Sequence, residues 1–291
     1  MRLNKYNFLS LFLITFLFAC NENSNYEKKS SLNSDIIDTI IEAKDTHVEN
    51  IYFNVPTPME TAYILKKAGA IYDFSLPLEP NKAQDDYTSE EQALLLGIYG
   101  SDLNYTIVSS KNQETMFYLN STKVLGEKLG LGNILNEEVK NRVENNINSK
   151  DSMQVIISDL FWKVEMSLKS DGRESISALI IAGGWIEGLY IATQISDQMQ
   201  DNKEIKSIIC QQKHSTKSVL ELLKNNRVSN HTLETVIEPL EEINTALSLL
   251  KLEDQTIANQ ENSSSGTLLI NDDIISDVRL IIEQIRTDIT H

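Results

Sequence analysis

The chain is short of several things, and each shortage removes a class of explanation. Only two cysteines occur in 291 residues, Cys20 and Cys210, so no disulfide framework holds the fold and stability has to come from a hydrophobic core. There are only five prolines, and Pro239 alone lies beyond Pro80. No Pro- or Gly-rich linker divides the body. Basic residues are scarce, 26 Lys and Arg against 42 Asp and Glu, for a formal charge of -16. Phosphate backbones are held by clustered Lys and Arg, and no such cluster is present, which argues against nucleic acid as a partner. An acidic surface of this kind suits solubility, cations or basic partners. The four histidines, His47, His214, His231 and His291, are scattered. None stands in HExxH or a similar ligand spacing, so no transition-metal site is expected. No Asp-x-Asp-x-Asp-Gly loop, Walker motif or GxSxG elbow is present. No metal, cofactor or catalytic residue is indicated.

What is present begins at the N-terminus. Arg2 and Lys5 precede a mostly apolar run from Phe8 to Phe18, followed by Ala19, Cys20 and the polar stretch 21–25. This resembles a bacterial lipoprotein signal peptide with its lipobox, which implies cleavage before Cys20 and acylation of that cysteine. The run of 11 residues falls short of the roughly 20 needed to span a bilayer. The expected organisation is a signal peptide over 1–19, a polar tether over 20–34 with an average reach of about 20 Å, and one domain over 35–291. The membrane partner is reached through acylated Cys20, in the cell envelope, on the periplasmic side or at the outer-membrane surface. Losing Arg2 and Lys5 with the signal takes the formal charge from -16 to -18, so the acyl chains, rather than direct adsorption to anionic lipid, supply the attachment. With Cys20 acylated, Cys210 has no partner, and its apolar context reads as a buried thiol.

From Asp35 onward the apolar period is helical. Thr57-Pro58 predicts a helix start, with Gly69 at its end. Thr88 to Glu91 has the form of a capping box ahead of Ala93. Further helical stretches are predicted over 112–129, 136–147, 152–170, 174–199, 203–225 and 230–250, and a last one after Asn271. Pro239 should kink or break its helix. The acidic pairs Asp85-Asp86 and Asp272-Asp273 are expected as helix caps. Residues 251–270 read either as a small β-hairpin or as a long loop. The fold class is all-α: a single multi-helix bundle or short helical array.

Two of these helices are related. Offsetting Ala93 by 85 residues onto Ala178 places Asp102 on Glu187 and Tyr105 on Tyr190. Each helix then carries an acid and, three residues on, a tyrosine, on one face of an otherwise apolar segment. Either the match is chance or the fold contains an internal duplication, its two helices facing each other around a pseudo-two-fold axis. A buried carboxylate needs partners or becomes protonated. The candidate ligand-binding residues are Asp102, Tyr105, Glu187 and Tyr190, with Tyr99 and Trp185 beside them. Gly184 and Gly188 have GxxxG spacing, but Glu187 between them argues for a buried helix in a bundle rather than a membrane pair.

The segments 96–105 (LGIYGSDLNY) and 182–192 (AGGWIEGLYIA) resemble two signature blocks of an uncharacterised family of Bacteroidota-type lipoproteins. Pro56 to Glu60, with Leu65 to Gly69 behind it, resembles that family's opening block. The resemblance implies an all-α fold and an envelope location, and brings no activity with it. The leading expectation is a non-enzymatic, membrane-anchored helical binding or scaffold module for an envelope protein or small ligand. The alternatives are a small-ligand or cation-binding protein using the Asp102/Glu187 seam, and an envelope or extracellular hydrolase.

Overall fold

A computed structural model describes residues 55–226, 228–250 and 270–291. The expected signal peptide, Cys20, the tether and the alternatives for 251–269 lie outside the described residues. The described part contains nine helices of ten residues or more and no strand: α1 Pro58–Lys67, α2 Ser89–Val108, α3 Asn112–Lys128, α4 Glu137–Asn146, α5 Lys150–Ser170, α6 Glu174–Gln198, α7 Lys203–Asn225, α8 Glu238–Ser248 and α9 Asp272–Thr290. It is an all-α bundle.

Local chemistry sets the ends. Thr57 and Thr88 each accept a hydrogen bond from the backbone N–H three residues on, and Glu60 and Glu91 reach back to complete two capping boxes. Asn136, Ser149, Asn202 and Asn271 cap α4, α5, α7 and α9 through their side-chain oxygens. Gly69 follows α1 at φ +91°, a left-handed conformation that favours glycine. Asp272 and Asp273 lie in the first turn of α9, where the helix dipole favours them. Asp85 ends a 3-10 turn, Pro80–Gln84, so Thr88 and not the Asp85-Asp86 pair caps α2. Pro239 stands in the first turn of α8, directly after a π-helical turn, Leu233–Ile237. Its missing N–H thus falls where the helical ladder is already interrupted.

Helices α2 and α6 form the centre. Every residue of α2 from Ala93 to Val108 is buried, and α6 is buried along most of its length. Helices α1 and α3 cover α2, while α7 and α9 cover α6. By length and composition α6 could cross a membrane, but the apolar stretch that qualifies it is 83% buried within this bundle.

Glycine makes the central contact close. A Cβ on Gly97 would overlap the Ile180 carbonyl, and one on Gly183 would overlap the Leu94 carbonyl. These two overlaps are reciprocal, relating 97 to 183 and 94 to 180. The packing is therefore pseudo-symmetric at an offset of 86, one residue from the 85 that aligns the acids. Gly97 faces Gly183 and Gly184, and Asp102 meets Glu187 further along, so the two helices run in the same direction. Gly184 and Gly188 receive Pro58 and Thr61 of α1: their spacing serves a surface helix of the same bundle.

Candidate functional site

The aligned acids converge. Asp102 on α2 and Glu187 on α6 are both fully buried, and their carboxyl groups are hydrogen-bond neighbours. The third member is Arg286 on α9. Its Nε donates to Glu187 Oε2 at 2.6 Å, and one terminal nitrogen donates to Glu187 Oε1 at 3.0 Å and to the Leu76 carbonyl at 2.9 Å. A two-pronged pair of this kind matches the guanidinium fork to the carboxylate. The guanidinium also lies over the Tyr190 ring, 4.1 Å from its centroid, where the ring face attracts a cation.

Asp102 is held differently. Its Oδ2 accepts the Leu78 backbone N–H at 3.0 Å. Its Oδ1 has no conventional donor and is, with Asn104 Oδ1, one of two such buried side-chain oxygens among the described residues. Burial and the neighbouring Glu187 charge push the Asp102 pKa well above the usual carboxylate range, outweighing the opposing effect of Arg286. For Arg286, burial acts to lower the pKa, and the Glu187 charge and hydrogen bonds more than offset it.

The other sequence candidates surround this cluster without opening it. The Tyr105 hydroxyl accepts the Asp73 N–H at 2.9 Å and donates to the Ile71 carbonyl at 3.4 Å. Burial, foremost, raises its pKa to about 12. Tyr99 donates to the Glu79 carbonyl at 2.6 Å. These two tyrosines, together with Asp102, bind the segment between α1 and α2 across the ends of the acids. Trp185 points elsewhere, its indole N–H donating to Gln212 of α7 at 3.2 Å. The seam is therefore a closed polar joint, and the Arg286 guanidinium stands where an external cation would have bound. Among the described residues no group of three or more His, Cys, Asp or Glu is arranged to hold a metal. Cys210 is buried, and burial raises its thiol pKa, which keeps it unreactive.

Arg286 is the member that sequence reasoning missed. It flanks the α9 apolar stripe of Ile275, Val278, Ile282, Ile285 and Ile289, as a solvated arginine also would. The only signal was indirect: two buried acids demand a cation.

Helices α4 and α5 enclose a groove of about 520 Å³, within the range of small-ligand sites. Ile156 and Leu160 form an aliphatic floor, and Trp162 and Met166 stand on its wall, 47% and 45% exposed. Arg142 and Lys163 reach Asp159 at 3.3 and 2.9 Å, so two cations at the groove share one carboxylate. The unlike polarity of its lining suits a partner that brings both an apolar group and hydrogen-bonding groups. No family model matches the chain, and neither a characterised protein nor a solved structure shows significant similarity to it.

Proposed function

We propose that this chain is a cell-envelope lipoprotein of the Bacteroidota-type family that its sequence blocks resemble, held to the membrane by acylated Cys20. Its helical body acts as a non-enzymatic binding module, and the α4–α5 groove is its recognition surface. The observation that carries this reading is the contrast between the two polar regions. The carboxyl pair is sealed and occupied by its own arginine, while the groove is open and presents an exposed indole beside a thioether. Solvent-exposed aromatic and apolar groups gathered in a concavity mark interaction sites. Enclosure argues equally against hydrolysis by Asp102 and Glu187, because no polymer chain reaches either acid.

The test is site-specific photo-crosslinking in intact cells, with the full chain carrying the crosslinker at Trp162 or, as a control, at Val155. Val155 is on the same helix and 64% exposed, but is not part of the groove lining. A discrete adduct from position 162 and none from 155 supports the reading. Equal adducts at both positions, or none at either, contradict it. Metabolic labelling with an alkyne fatty acid tests the anchor, and Cys20→Ala should abolish the label.

A further inference from the structure

The joint between α2, α6 and α9 contains two acids and one base. Glu187 uses both oxygens on Arg286, and Arg286 spends its remaining described hydrogen bond on the Leu76 carbonyl. Asp102 satisfies Oδ2 with the Leu78 N–H and is left with Oδ1 unpartnered, fully out of water, beside the Glu187 carboxyl. If both acids were ionised, two anions would share one cation, with one Asp102 oxygen bare. A single proton on Oδ1 resolves both faults, since it removes the excess charge and turns the orphan acceptor into a donor.

We propose that Asp102 is a neutral carboxylic acid in the folded protein, donating its proton to Glu187, and that this proton locks the C-terminal helix α9 onto α2 and α6. Of the groups that face Asp102, none donates to Oδ1. On α6 they are Glu187 and Tyr190, on α9 Arg286, on α3 Tyr118, and on α2 itself Tyr99 and Tyr105. Tyr72 approaches from the segment before α2. Tyr99 and Tyr105 have committed their hydroxyls to backbone carbonyls, and Tyr190 lies under the guanidinium. Arg286 is the one cation in the set.

The sign of the pH dependence follows. The folded-state pKa of Asp102 lies above its unfolded value, so its contribution to stability is full below the unfolded value, near 4. It falls as pH rises toward the folded value, because the unfolded chain releases the proton first. Each pH unit in that window raises the wild-type unfolding constant about tenfold through this one proton. Asp102→Asn keeps an acceptor for Leu78 and a donor for Glu187 but has no proton to lose.

The experiment uses the full chain and two readouts. Infrared difference spectroscopy should show a protonated-carboxyl C=O band at neutral pH. Asp102→Asn should remove it. Glu187→Gln should remove it too, because Asp102 then becomes the only anion available to Arg286. The unfolding constants of wild type and Asp102→Asn should diverge about tenfold per pH unit above about pH 5, and exchange protection in α9 should fall with rising pH in the wild type alone. A wild-type spectrum without the band, a band that survives Asp102→Asn, or parallel pH curves for the two proteins would overturn the proposal.

Discussion

Replacing Arg286 by Met removes the charge and keeps most of the side-chain stem. Glu187 is then left without its two charge-assisted hydrogen bonds in a site with no solvent exposure. That leaves a buried anion without its cation, and breaking a buried pair in this way costs about 3–5 kcal/mol. A loss of about 4 kcal/mol is a large part of the roughly 5–15 kcal/mol that a domain possesses. A second substitution sharpens the test. Glu187→Gln in the Arg286→Met background removes the stranded charge, so the double variant should recover most of the loss. Urea unfolding followed by far-ultraviolet circular dichroism at pH 7 measures all four corners of the cycle. A loss below about 1 kcal/mol for Arg286→Met, or a double variant less stable than either single one, would refute the reasoning behind the cluster.

Other expectations follow from the same contacts. Gly97→Ala and Gly183→Ala each drive a methyl into a carbonyl of the facing helix, and backbone cannot yield as a side chain can. Each should cost about 3 kcal/mol, at or above the upper end of ordinary overpacking, seen as a fall in thermal midpoint, whereas Gly172→Ala, which meets no neighbour but is strained at φ +68°, should cost only about 1–2 kcal/mol. Cys210 should resist a thiol reagent in native buffer at pH 8 and react fully in denaturant, because burial both hides it and raises its pKa. Acrylamide should quench the fluorescence of Trp162, 47% exposed, and spare that of Trp185, 4% exposed; Trp162→Phe should leave an emission that hardly responds.

How far the sequence went depends on the range of the signal. Helix starts are local: Thr57-Pro58 announced α1, and the capping pair Thr88/Glu91 announced α2, within four residues. The central seam was legible because two buried helices with the same polar face, an acid and then a tyrosine three residues later, leave a repeated pattern. That pattern singled out Asp102 and Glu187 but left open whether they meet. The packing offset differs by one residue from the alignment of the acids, because close approach is set by Gly97 and Gly183. The pattern also left the nature of the seam open. Whether two inward acids form a ligand site or a joint is decided by what else reaches them, and Arg286 arrives from 99 residues further along the chain. The segment that brings Leu76 and Leu78 to the cluster has no helical period to betray it. The α4–α5 groove was invisible for a related reason: Trp162 and Met166 read as ordinary members of an apolar face until the neighbouring helix stops short of covering them.

The central claim is that recognition belongs to the open groove and not to the sealed seam. Methyl-resolved nuclear magnetic resonance on the full, isotopically labelled chain tests it most directly, on addition of a detergent-solubilised envelope fraction. The account predicts shifts at Ile134, Ile156 and Met166, which line the groove, with Ile186 and Ile282 in the core unchanged. Shifts confined to Ile186 and Ile282, with the groove methyls unmoved, would contradict it.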